Sequence, residues 1–256
     1  MLREAELERC YDRARVLVGD DAEPFSVVQT VESHRNYWRP ARVRVLLLAE
    51  SHVYTKAQEC VPMGGAGMFE LRDCPQRFIR LVYCLGYGES EYVGAHPLSN
   101  TGTPQYWKIF SSCVYPIDAS AFGAVLKRQT PGFHARLSAK IDLLNRLRQV
   151  GVWLVDASVL ALYTPGGNKP SAGVRQKVLR ACWDAYIGHL VADAAPERVI
   201  VIGKGVGAAL ADRLKDVTGG RHIVLNQPQA RMSVDEITRT HNTYFDVCRE
   251  GAASPG

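Results

Sequence analysis

The chain has 256 residues, 46% of them hydrophobic and 22% charged, enough to bury a full core as one large α/β domain. A formal charge of +5 and a pI near 8.8 admit a polyanionic partner, but many ordinary enzymes carry as much and the excess selects no partner. The opening MLREAELERC carries charges where a secretory signal needs an apolar segment, and no apolar run approaches the roughly 20 residues of a membrane span. A cytoplasmic protein without membrane contact is therefore expected. Seven cysteines without a CxxC pair argue against a disulfide framework or a zinc ribbon, so reduced, buried thiols and no metal or other cofactor are expected.

Leu2 to Val18 and Pro24 to Tyr37 place apolar residues at helical spacing, which predicts an N-terminal helical pair over one face or edge of a sheet. VRVLLLAESHVYT, from Val43, is the first of four short apolar runs that each end in a polar or glycine-rich loop. Pro75 to Leu85 and Pro104 to Val114 read as helical, while GGAG from Gly64 and HPLSNTGTP from His96 read as loops. Phe133 to Val150 carries Phe133, Leu137, Ile141, Leu144 and Leu147 on one face and stops at Gly151. The second run, GVWLVDAS, follows at once. YTPGGNKPSAG then leads into a helix with Val174, Val178, Cys182, Trp183, Ile187 and Leu190 inward. The third run, RVIVIGKGVG from Arg198, precedes a helix from about Gly207 to Leu214. The fourth, HIVLNQPQARMS from His222, precedes a helix from about Val234 to Cys248, and GAASPG reads as a disordered tail.

Runs of this length, rich in Val, Ile and Leu, suit parallel strands buried on both faces. Helices between them imply right-handed crossovers. The expectation is a three-layer α/β/α fold around a central four-stranded parallel sheet, one domain over residues 1–250 with a tail at 251–256. Its site is expected at the carboxyl ends of the strands.

The loops at those ends resemble the uracil-DNA glycosylase superfamily, whose members flip a base out of DNA and cleave its N-glycosidic bond. The family's first strand ends in a motif of the type G-[QEM]-x-P-[YG], and Ala49-Glu50-Ser51-His52-Val53 stands in its place. Its second strand ends LLLN before a loop with GxxNSH; here Leu154-Val155-Asp156 precedes Gly167-Asn168-Lys169. Gly203-Lys204-Gly205 matches the glycine loop after the third strand, and Gln227-Pro228-Gln229-Ala230-Arg231 stands where the family has an HPSPLS-like motif. The match rests on order and spacing, covers Val43 to about Asp246, and implies a monomer with DNA as its partner.

The departures from the family pattern redirect the implied chemistry. Ser51 replaces a family Asp that activates water or steadies the sugar cation, which leaves Glu50, or less readily His52, to supply the negative charge or base that an oxocarbenium-like transition state needs. The plainer readings are a loop-capping Glu50 and a His52 held by a structural hydrogen bond. Gln227 replaces a family His; it can donate a hydrogen bond to a departing base but cannot carry charge. Arg231 falls where the family inserts a wedge into the DNA stack, and a phosphate contact serves equally. Lys169, Ser171, Lys204 and Gly205 are implied phosphate-side contacts. Asn168, with Phe69 or Tyr54 as a stacking ring, is implied at the base.

Asp156 stands where many uracil-cleaving members carry an Asn that reads the pyrimidine edge. An Asn amide donates to O4 of uracil, whereas a carboxylate only accepts, and cytosine offers an amine donor in place of O4. Val53 replaces a Tyr that blocks substituents at the pyrimidine 5-position. Excision of plain cytosine would destroy the host genome, so the implied substrate is a 5-substituted cytosine. Glucosylated hydroxymethylcytosine of phage DNA fits an open pocket and a defence role. The structural alternative for Asp156 is a turn carboxylate after a strand.

Three other readings stand beside this one. A relative that binds DNA but has lost catalysis accounts for both missing catalytic groups, and a uracil-DNA glycosylase of base-excision repair remains in view. GKGVG also resembles a dinucleotide loop, but Ala208 stands at the third glycine position, and Lys204 comes too early for a Walker motif. No lysine is placed as a Schiff-base nucleophile, so hydrolysis without lyase activity is expected.

Overall fold

The four apolar runs form four parallel strands in a computed structural model that describes residues 2–64, 71–93, 100–117, 121–163, 169–228 and 230–250. They are β1 (Val45–Ala49), β2 (Val152–Asp156), β3 (Arg198–Ile202) and β4 (His222–Leu225), in the spatial order β2-β1-β3-β4. Val45 pairs with Val152 and with Arg198, and Val199 pairs with His222, so the carboxyl ends of all four lie level along one edge. β1 and β2 are buried throughout and β3 everywhere except Arg198, as apolar strands between two helical layers must be, with Asp156 at the end of β2 the one buried charge.

β4 departs from the expectation of burial on both faces: its residues are half-buried, and Val224 is 41% exposed. Among the described residues it stands at the sheet edge with a hydrogen-bonded neighbour only in β3, which leaves its residues partly exposed.

The N-terminal pair is α1 (Leu2–Val18) and α2 (Phe25–Tyr37), with Val27, Val28 and Val31 of α2 buried in the core. After β1 come α3 (Ser90–Val93), α4 (Pro104–Ser112), α5 (Ala121–Ala124) and α6 (Phe133–Val150). Gly151 ends α6 in the left-handed region at φ +77°, where a Cβ would also come within 2.9 Å of the Arg42 carbonyl oxygen. α7 (Ala172–Cys182) starts under a Ser171 cap whose hydroxyl accepts from Val174 N at 3.3 Å. It continues through one π-helical turn, Trp183–Ile187, into α8 (Gly188–Ala194), and the turn brings Trp183, Tyr186 and Ile187 inward together. α9 (Lys204–Thr218) and α10 (Val234–Glu250) complete the order, and α10 packs on α4.

Two helix expectations are corrected. Pro75 to Leu85 is not helical: it runs through turns, with Phe78, Ile79, Leu81, Val82, Tyr83, Cys84 and Leu85 all buried. Its backbone pairs outward instead, Phe78 N donating to Val61 O (2.8 Å) and Met63 N to Gln76 O (2.7 Å). A segment whose apolar groups are enclosed from Phe78 onward, while Gln76 and Arg77 stay exposed, needs no helical periodicity to bury them. α9 begins at Lys204 rather than near Gly207, because Gly203 at φ +117° turns the chain into helix directly after β3.

All seven cysteines are buried and unbridged. Among the described residues no helix is long and apolar enough to cross a membrane.

Candidate functional site

Glu50 follows β1 immediately, and backbone bonds from Ala157 N to Ala49 O (2.8 Å) and Ser158 N to Glu50 O (3.0 Å) tie its loop to the one after β2. Three side chains from other segments converge on its carboxylate. Tyr163 OH donates to Oε2 at 3.2 Å, Gln227 Nε2 donates to the same oxygen at 3.5 Å, and Arg175 Nη1 lies 3.5 Å from Oε1. Gln227 reaches this point because Gly203 has no side chain: a Cβ there would lie 2.9 Å from Gln227 Cγ.

Glu50, Arg175, Lys204, Gly205, Gln227 and Ala230 line a groove of about 540 Å³. The first residues of α7 and α9, Ala172, Gly173, Lys204 and Gly205, also face it, and the unpaired N–H groups and dipoles of two helix starts favour a negative charge. The groove therefore combines an anion-favouring rim with one fixed carboxylate.

The chain after Glu50 lines a second, narrower recess of about 30 Å³, walled by Ser51, His52, Val53, Tyr106, Leu154 and Asp156. That is room for about two water molecules, and a pyrimidine ring enters only if the Arg80–Val82 wall or the start of α4 gives way.

Behind the recess lies a buried charge network. Asp156 Oδ2 accepts from Arg35 Nη2 at 2.8 Å, and Arg35 also pairs with Glu32, which takes a hydrogen bond from Tyr186 OH at 3.2 Å. His52 Nε2 pairs with Glu23, and its Nδ1 lies 3.8 Å from Asp156 Oδ2. Glu23 further accepts from Ala161 N (3.0 Å) and Thr55 N (3.4 Å). Burial pushes His52 down, but the Glu23 carboxylate, the hydrogen bond to it and Asp156 push it up further, leaving it above its ordinary range. Burial also raises Tyr106, helped by Asp156 and Glu50, so its phenol stays a neutral donor beside the recess.

The residues singled out from sequence fall into distinct places. Glu50 and Gln227 meet in the groove; Asp156, Ser51, His52 and Val53 meet in the recess. Ser51 Oγ accepts from Leu162 N at 3.2 Å and so holds the loop after β2. Val53 is 38% exposed. Tyr54 does not line the recess, and its carbonyl accepts from Arg80 Nη1 at 3.1 Å. Lys204 and Gly205 line the groove, Ser171 caps α7, and Lys169 Nζ sits 5.5 Å from the Tyr163 ring centroid. Arg231 is exposed, next to Ala230 of the groove wall. Phe69 and Asn168 lie outside the described residues.

Glu23, Arg35, Tyr106, Tyr163 and Arg175 were not singled out from sequence. A signal existed for Arg35 alone: it follows Val28 and Val31 by seven and four residues on the buried face of α2, where an arginine needs a partner.

No family model, curated protein or solved structure matches this chain.

Proposed function

We propose that this protein is a DNA glycosylase that hydrolyses the N-glycosidic bond of a 5-substituted cytosine and leaves an abasic site. The observation that carries this reading is the Glu50 carboxylate at the end of β1, with the Gln227 amide 3.5 Å away in a groove rimmed by two helix starts. Arg175, Lys204 and the backbone N–H groups of α7 and α9 would hold phosphates in the groove. The flipped base would enter the recess, and the sugar between them would lie beside Glu50.

In that arrangement Glu50 stabilises the developing oxocarbenium charge or takes a proton from the attacking water. Gln227 turns its amide N–H from Glu50 to the base carbonyl, a weaker aid to departure than a charged imidazole. Asp156 accepts from the exocyclic amine of cytosine, an interaction that uracil lacks. Arg35 occupies Oδ2 of that carboxylate, which leaves Oδ1 for the base. The exposure of Val53 is compatible with a substituent at the 5-position, and a glucosylated hydroxymethylcytosine in phage DNA would place the activity in defence.

The test is a set of duplexes carrying uracil, cytosine or 5-substituted cytosine, probed for abasic sites. Release of the substituted cytosine is expected, with Glu50→Gln slowing it by roughly 10²-fold or more while DNA affinity changes little. Asp156→Asn is expected to shift preference toward uracil. Release of uracil alone would assign the protein to uracil repair, and salt-sensitive DNA binding without release would make it a non-catalytic relative.

A further inference from the structure

Thr103, the residue before α4, lines both the narrow recess and a second cavity of about 340 Å³. The wall of that cavity is a buried ionic cluster. Glu89 accepts from Arg136 Nε at 2.8 Å, from Arg136 Nη2 and from Lys140 Nζ, while Arg136 Nη1 donates to the carbonyls of Thr130 (2.6 Å) and Pro131 (2.9 Å). Lys140 Nζ also sits 4.9 Å from the centroid of Trp107, another wall residue. Opposite, Asn100 clamps a turn by accepting from Gly88 N (2.6 Å) and donating to Gly86 O (2.7 Å). Gly88 and Gly102 pack so closely there that a Cβ on Gly102 would lie 2.9 Å from Gly88 Cα.

The chemistry of the lining is one-sided. Three donors saturate Glu89, so the carboxylate has little left to offer a ligand. Lys140 has further ammonium protons, Lys127 is exposed beside the cavity, and Thr101 and Thr103 bring hydroxyls. Thr103 Oγ1 is buried with no hydrogen-bond partner among the described residues, a state that is unfavourable until something meets it. The volume lies in the ordinary range for small-molecule sites.

We infer that this second cavity receives the 5-substituent of the base whose ring enters the narrow recess, and that the substituent is rich in hydroxyl oxygens and of monosaccharide size. The inference rests on the glycosylase reading above. A bare ring reaches only the recess and leaves Lys140 and Lys127 of the second cavity unmet. A sugar passing Thr103 offers acceptors to Thr103, Lys140 and Lys127 together, so the larger base is the better substrate.

The experiment compares kcat/KM on duplexes containing 5-hydroxymethylcytosine and its glucosylated form. The wild-type ratio is expected to favour the glucosylated base at least tenfold, and Thr103→Val and Lys127→Gln are each expected to lower that ratio about five- to tenfold. Lys127 is exposed, so its variant remains informative if Thr103→Val fails to fold. Release of both bases at equal rates, or a ratio unmoved by either variant, would overturn the substituent site while leaving the glycosylase reading intact. No release from any duplex would instead refute that reading, and this inference with it.

Discussion

The groove at Glu50 and the recess at Asp156 both open at the carboxyl end of the sheet, yet they are built in opposite ways. In the groove the cations reach solvent although Glu50 itself is buried: Lys204 is exposed, Arg175 is partly exposed, and Arg175 and Gln227 approach Glu50 only at 3.5 Å. Such groups exchange water for a ligand at small cost and stay free to reorient. Behind the recess, Glu23, Glu32, Arg35, His52 and Asp156 are each at most 5% exposed and pair with one another. Charges taken out of water need fixed partners, so this region is preorganised before any ligand arrives. One segment, Glu50 to Val53, therefore supplies an adaptable half and a rigid half of the same site.

Removing Arg35 should break that contrast most severely. Arg35→Met leaves Glu32 and Asp156 buried without their cation, and a loss of about 3–5 kcal/mol is expected in urea unfolding. Lys204→Ala, on the groove side, should change stability by less than about 0.5 kcal/mol. Equal effects of the two would show that the network is no more structural than the groove.

The next largest effect is expected from pH. Burial pushes His34 of α2 down to about 4 from its ordinary 6.5, although its hydrogen bond to the Arg77 carbonyl pushes the other way. Between those values the unfolded chain takes up a proton that the folded chain refuses. Stability should therefore be full above pH 6.5 and fall by on the order of 3 kcal/mol as pH drops to 4. His52 has the opposite sign: raised in the fold, it stabilises below its ordinary value, and that contribution is lost as pH climbs through the raised one. Unfolding free energies measured across pH should show both limbs, with His34→Gln flattening the acid one.

A smaller effect sharpens the groove. Gly203→Ala places a Cβ at φ +117° and against Gln227, with an expected cost of about 1–3 kcal/mol and displacement of Gln227 from Glu50. If base release survives that change at full rate, the Gln227 contact with Glu50 has no part in catalysis.

Local pattern was enough to read the strands, α6 with its glycine stop, and the N-terminal pair. A strand buried on both faces, or a helix with one apolar face, writes its period into neighbouring residues. Pro75 to Leu85 misled because apolar residues at close spacing look helical even when the chain is irregular and its apolar groups are enclosed by the surrounding structure. β4 misled because Ile223, Val224 and Leu225 are as apolar as the residues of β1, and only their place at the sheet edge exposes them. At the site, Glu50, Gln227 and Asp156 were legible because chemical residues at strand ends stand out against apolar runs. Tyr163, Arg175 and Tyr106 were not, since nothing in their own neighbourhoods shows that three separate segments converge.

The sequence by itself determined where the chain is strand, where it is mostly helix, and which polar residues stand at the strand ends, because these follow from the order of side chains over a few positions. The tertiary structure alone decided that Glu50 faces Gln227 while its neighbours Ser51 and His52 turn to the recess, that Asp156 is held by an arginine 121 residues earlier, and that Thr103 lines two cavities. Pairings over such distances depend on how helices dock against the sheet. The partner that a buried charge finds is set by that docking and by no local pattern.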